Sequence, residues 1–134
     1  MGLLDDIPAD LPALERARCL QARAATVGFD WDNPWPVLDK IGEELNEVRS
    51  EMQRPHGPEQ AQRLFAEIGD LLFAVSNLAR HLNIDPQAAL QGTNARFMQR
   101  FAYIEAQLAA QGQPLATQDL ARLEALWQEA KQHT

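Results

Sequence analysis

The sequence predicts an all-α fold, a helix bundle of about five helices. Three observations predict it. Every apolar run in the chain repeats with helical spacing, and no segment alternates with the period of two that a strand needs. Prolines and glycines fall between these runs, where they punctuate helices. The five runs follow one another with only short breaks, the pattern of packed helices.

The first helix is expected from Asp10 as cap, with Pro12 in its first turn, to about Ala25. A loop from Thr26 to Trp35 follows, holding Gly28, Phe29, Trp31 and Pro34. Its two tryptophans, Trp31 and Trp35, are read as loop packing. Pro36 is expected to open the second helix, which runs to about Met52 with Val37, Ile41, Leu45, Val48 and Met52 as its apolar stripe. Pro55-His56-Gly57-Pro58 breaks the pattern. The third helix is expected from about Glu59 to Leu82, with Leu64, Ile68, Leu71, Val75, Leu78 and Leu82 toward the core. Asp85-Pro86 reads as cap and first-turn proline of a fourth helix ending near Gly112. It carries Phe97, Phe101, Ile104 and Leu108. Thr117 is expected to cap a last helix with Leu120, Leu123, Leu126 and Trp127.

With 134 residues and 46% hydrophobic content, the chain suffices for one domain, residues 1–134, with its own core. The net charge of -7 argues against nucleic acid or an anionic membrane surface as partner. No run approaches the roughly 18 apolar residues of a membrane span, and no signal peptide is visible. The one cysteine, Cys19, excludes an internal disulfide, suits a reducing cytoplasm and reads as a small buried apolar residue.

The chemistry concentrates in two acidic clusters. Glu44 and Glu47 are three apart on the second helix, and Glu67 and Asp70 are three apart on the third. Residues so spaced are neighbours on one helix face. At roughly 100° per residue, Lys40, Glu44, Glu47 and Glu51 form a stripe beside the apolar face. Arg63, Glu67, Asp70, Asn77 and His81 form the matching stripe on the third helix. Four carboxylates brought together repel unless a hard cation such as Mg²⁺ or Mn²⁺ lies between them. The bland alternative is a pair of solvated acidic faces. Against it stands the strongly apolar character of the third helix, where unpaired charge is costly. Di-iron bundles use Glu-x-x-His pairs; neither pair here contains histidine, which favours Mg²⁺ over iron. His56 and His81 are read as structural or solvated.

Five blocks in order are similar to the MazG-type nucleoside triphosphate pyrophosphohydrolases. They are Ala24-Ala25-Thr26-Val27-Gly28-Phe29-Asp30-Trp31, then Glu43-Glu44-x-x-Glu47, then Glu67-x-x-Asp70-Leu71-Leu72-Phe73, then Asn94 to Phe101, and the terminal Leu126 to Lys131. The match looks closest to the C-terminal catalytic domain of two-domain MazG proteins. The resemblance implies an all-α homodimer that hydrolyses nucleoside triphosphates, ribo or deoxy, to monophosphate and pyrophosphate with Mg²⁺, in nucleotide-pool sanitation or regulation. By position it implies Glu44, Glu47, Glu67 and Asp70 as metal ligands. It implies nucleotide contacts from Lys40, Arg63, Arg96, Arg100 and Trp127, with Asn94 beside them. Arg63 and Arg96 stand where family members often have lysine, so a planar fork replaces a point charge.

The residue types suit this chemistry. Carboxylate-held metal neutralises phosphate charge and lowers the pKa of a bound water. Arg96 and Arg100, one turn apart, can clamp phosphates. Glu43 can orient or deprotonate the water, with a surface role as the alternative; Trp127 is either a stacking partner or core. Two other readings stay open. One is a narrow-substrate pyrophosphohydrolase acting on dUTP or phosphoribosyl-ATP. The other is a non-catalytic dimeric helical module that binds a basic partner.

Overall fold

The computed structural model describes residues 1–134. It contains α1 (Ala13–Ala25), α2 (Pro34–Met52), α3 (Pro58–His81), α4 (Pro86–Ala110), one 3-10 turn (Leu115–Thr117) and α5 (Leu120–His133). The all-α, five-helix expectation is borne out. No helix is long and apolar enough to cross a membrane.

Local chemistry explains the helix ends, and it moves three of them. Pro12 itself is the cap of α1 and no side chain caps it, so Asp10 stands outside the helix. The second helix opens at Pro34, not Pro36, because Asn33 Oδ1 accepts from Trp35 N at 3.0 Å and Pro34 needs no partner for a missing N–H. Asp119, not Thr117, caps α5: its Oδ1 accepts from Arg122 N at 2.8 Å. Thr117 belongs to the 3-10 turn. Asp85 behaves as expected, its Oδ1 accepting from Gln87 N at 3.0 Å. Gly112, with φ +65, takes the left-handed conformation that stops α4.

The chain forms two compact units, Met1–Gln87 and Ala88–Thr134. In the first, α2 and α3 form an antiparallel hairpin and α1 packs on α3. Arg23 of α1 anchors the N-terminal segment, donating to Asp6 Oδ1 at 2.6 Å and to Leu3 O at 2.9 Å. The buried residues of α2 are Val37, Glu44 and Glu51; those of α3 include Gln60 and Ala74, with the half-buried Glu67 midway between them. Each set repeats every seven residues, the period of a helix–helix seam. Run antiparallel, the hairpin pairs Val37 with Ala74, Glu44 with Glu67, and Glu51 with Gln60. Gln60 Nε2 donates to Glu51 O at 2.9 Å and to Arg54 O at 3.0 Å.

This seam corrects the expected core. Of the second-helix stripe only Val37 is buried; Leu45 and Met52 are exposed. Ile68 and Val75 of α3 and its C-cap Leu82 are exposed as well. The apolar stripes are wider than the hairpin covers, so part of each remains outside. Cys19 is half-buried, not fully enclosed.

In the second unit Ile104, Leu108 and Leu126 form the core, with Phe101, Leu115, Leu123 and Trp127 packed on it. Burying a leucine fully contributes about 1.5–3 kcal/mol. Phe97 lies 5.5 Å from the Trp127 ring and 6.0 Å from Phe101.

Candidate functional site

The candidate site is the middle layer of the α2–α3 seam. One carboxylate oxygen each from Glu44, Glu67 and Asp70 lies within 4.8 Å of the others. Glu44 is buried, Glu67 half-buried and Asp70 exposed, so the cluster grades from the hairpin interior to solvent. Glu44 Oε2 and Glu67 Oε2 are buried with no hydrogen-bond partner. Unpaired buried carboxylate oxygens are costly, and an all-oxygen donor set of this kind suits a hard divalent cation.

Glu47 completes the group from the exposed side of α2. Its hydrogen bond to Glu67, followed by desolvation and the charges of Glu47, Glu44 and Asp70, pushes the Glu67 carboxyl up to about 7. The cause is crowding of like charges. Lys40 relieves part of it: Nζ lies 3.3 Å from Glu44 Oε1 and 3.6 Å from Glu43 Oε2. Its own pKa is raised, chiefly by the hydrogen bond to Glu44. Glu43 is exposed and meets only this lysine among ion pairs.

One layer along the seam, Arg63 is tied to the buried Glu51 and lies 4.0 Å from Glu59. Arg54 approaches Glu51 at 3.6 Å. His56 Nδ1 lies 3.0 Å from Gln60 Oε1. This layer is a satisfied ion-pair network, in contrast to the unpaired oxygens of the layer above it.

A cavity of about 790 Å³ adjoins the acidic cluster. Lys40, Glu44 and Asp70 line it together with Phe29, Trp31, Phe73, Gln21 and Arg80. Trp31 and Trp35 are exposed, so neither is packed into the loop as expected. Gln21 Nε2 donates to Phe73 O at 2.8 Å, while its Oε1 is buried without a partner. Asp30, also on the cavity, accepts from Arg80 Nη2 at 2.6 Å and lies 2.9 Å from His81 Nε2. Burial pushes the Asp30 carboxyl up, but the hydrogen bonds from Arg80, His81 and Trp31 N outweigh it and hold it below the usual value. His81 therefore has a partner that the sequence did not name. Asn77 and His81 fall on the stripe of α3 that the sequence marks, but Asp30 sits in a loop, where periodicity carries no signal.

The remaining expected contacts lie in the second unit. Asn94 is exposed, and Arg96 Nη2 donates to Thr93 Oγ1 at 2.9 Å. The Arg100 guanidinium sits 5.4 Å over the Trp127 ring, and its Nε donates to Thr134 Oγ1 at 3.0 Å.

The chain is thus an all-α protein whose helical hairpin carries a carboxylate cluster at the centre of its seam. No model of a known protein family matches the chain. It is nevertheless 48% identical over 96% of its length to a nucleoside triphosphate pyrophosphohydrolase of Escherichia coli (strain K12), covering 48% of that protein. It is 40% identical over 90% of its length to the Thermotoga maritima nucleoside triphosphate pyrophosphohydrolase/pyrophosphatase MazG, covering 45% of it. A Bacillus subtilis protein, uncharacterized protein YabN, is 44% identical over 98% of the chain, which covers 26% of that protein. The resemblance to MazG-type proteins read from the five sequence blocks is thus borne out. The chain spans about half the length of the first two relatives.

Proposed function

We propose that residues 1–134 form a catalytic domain that hydrolyses nucleoside triphosphates to the monophosphate and pyrophosphate. The observation that carries this reading is the trio Glu44, Glu67 and Asp70, convergent within 4.8 Å with two buried oxygens unpaired. Homologues named for this activity support it. Glu44, Glu47, Glu67 and Asp70 would hold Mg²⁺, with Mn²⁺ as a substitute; bound there, the metal supplies charge neutralisation at phosphate and an acidified water. Lys40 stands at the cavity end of the cluster, where its ammonium can meet a phosphate oxygen while remaining close to Glu44. Glu43, exposed and 3.6 Å from Lys40 Nζ, is assigned to orient or deprotonate the attacking water, with a surface role as the alternative. Arg96 and Arg100 are assigned to phosphate clamping, Trp127 to the nucleoside, and Asn94 and Arg63 to supporting contacts.

The exposed apolar face of the first unit favours a homodimer. Leu38, Leu45 and Met52 repeat every seven residues on α2, as do Ile68 and Val75 of α3 and its C-cap Leu82, and all six are exposed. Such a regular apolar face is a helix-packing surface that lacks its partner. The net charge of -7 and the single cysteine favour a nucleotide over a nucleic acid as partner, and a reducing cytoplasm as the compartment.

The test is incubation with a panel of ribo- and deoxynucleoside triphosphates and Mg²⁺. Monophosphate and pyrophosphate should appear, and EDTA should stop their release. Diphosphate plus orthophosphate would refute the reading. No turnover of any nucleotide would leave the binding-module reading, and turnover of dUTP or phosphoribosyl-ATP alone would leave the narrow-substrate one.

A further inference from the structure

One carboxylate ties down the loop that walls the cavity. Asp30 Oδ1 accepts from Arg80 Nη2 at 2.6 Å and from Trp31 N at 2.8 Å, and lies 2.9 Å from His81 Nε2. Arg80 is fixed in turn by Asn77, whose Oδ1 accepts from Nε at 3.1 Å and Nη2 at 2.9 Å. The side chains are enclosed: 18% exposed for Arg80 and 8% for His81. A three-donor clamp on one oxygen is far stronger than a surface ion pair.

What the clamp holds is two uncovered aromatic rings. Phe29 and Trp31 flank Asp30, line the cavity, and remain 81% and 51% exposed. Aromatic rings left open on a cavity wall suit a flat, largely apolar ligand group. Gln21, which also lines the cavity, carries a buried acceptor without a partner, Oε1, and an N–H donor would satisfy it. A nucleobase has both properties. Asp70 and Arg80 are ten residues apart on α3, roughly 15 Å along the helix axis, so the clamp stands well away from the acidic cluster.

We propose that Asp30 is a positioning residue for the nucleoside end of the substrate: through Arg80 and His81 it fixes Phe29 and Trp31 as the wall against which the base is bound. This rests on the nucleotide reading above. Asp30 touches no reacting group, so its loss should weaken nucleoside binding and spare the chemical step.

Two measurements on the whole chain test this. In steady-state kinetics with Mg²⁺, Asp30→Ala and Trp31→Ala should each raise KM about tenfold, with kcat within about twofold of wild type. The double variant should be little worse than either single one, because both remove the same wall. Asp30→Asn, which keeps an acceptor oxygen, should recover part of the loss and serves if the alanine variant does not fold. The rise in Tm caused by Mg²⁺ should be unchanged in all of them. Unchanged KM in the folded Asp30 variants, or kcat and the Mg²⁺ response falling together with KM, overturns the proposal. If wild type hydrolyses nothing, the hydrolase reading fails alone; calorimetric binding of nucleoside monophosphates then decides. Wild-type binding weakened about tenfold by the Asp30 variants sustains the proposal, and absent or unaltered binding overturns it.

Discussion

Glu44 and Glu67 face each other in the middle layer of the α2–α3 seam, and each has a buried oxygen with no partner. Apolar side chains normally fill such a layer. If the cluster holds metal as proposed, the hairpin should be weaker without it than with it. Mg²⁺ should raise Tm, by the equivalent of about 2.7 kcal/mol at a hundredfold excess over its Kd. Glu67→Gln or Asp70→Asn should leave the metal-free protein as stable or more so, abolish the Mg²⁺ shift and abolish turnover. Glu47→Gln should do the same. Differential scanning fluorimetry with and without Mg²⁺ checks this; a variant that loses activity only by unfolding marks a structural carboxylate.

Glu51 sits one layer further along the same seam and should behave in the opposite way. Its carboxylate is already paired with Arg63 and Arg54. Glu51→Gln should lower metal-free stability by about 1–3 kcal/mol and keep the Mg²⁺ shift. Urea unfolding of the two variants side by side separates a structural acid from a metal ligand on one helix.

The raised Glu67 carboxyl gives a pH dependence with a definite sign. Its folded value is about 7 against an ordinary 4.5. In the metal-free protein its contribution to stability is fully present below 4.5 and is lost as pH rises through about 7. Metal must displace that proton. Mg²⁺ affinity should therefore climb with pH up to about 7 and then level off, with proton release on binding at pH 6 that fades by pH 8. Calorimetry in buffers of different ionisation enthalpy measures it, and Glu67→Gln should remove the proton release.

The helices and the acidic stripes were legible because both are periodic. Which face of a stripe finds a partner first was not. The positions Glu44, Glu51, Gln60 and Glu67 are polar, so a reading by hydrophobicity places them beside the seam, yet they form it. Leu45 and Val75 read as core and stand exposed. Asp30 escaped because its partners, Arg80 and His81, lie some fifty residues away, and loop contacts at that distance leave no local pattern. The cap shift from Pro36 to Asn33–Pro34 was within reach, since Asn-Pro is itself a cap signal.

The exposed α2 and α3 faces predict self-association. Leu45→Glu or Val75→Glu places a charge at the centre of the apolar face, where burying it against a second copy is costly. Light scattering should give a dimer for the wild type at micromolar concentration and a monomer for either variant. A wild-type monomer would show that this face packs on something other than a second copy.

Arg100 and Trp127 form one unit of packing, and their separate roles can still be told apart. The guanidinium lies 5.4 Å over the indole, which itself packs on the Ile104–Leu108–Leu126 core. A cation–π pair contributes about 0.5–1 kcal/mol when exposed and about 2 when desolvated; Arg100 and Trp127 are both half-buried, so Arg100→Ala should cost about 1–2 kcal/mol of stability. If Arg100 holds the triphosphate, the same substitution should cut kcat/KM at least tenfold, about 1.4 kcal/mol of transition-state stabilisation. The loss should be equal for every base, because all share the phosphates. Trp127→Ala should cost more stability, having core contacts to lose, and should alter the ranking of bases or sugars. Lys at position 100 keeps the charge without the planar fork, so Arg100→Lys should recover only part of the loss. Wild-type kinetics in Arg100→Ala would make Arg100 a packing device for Trp127 and nothing more.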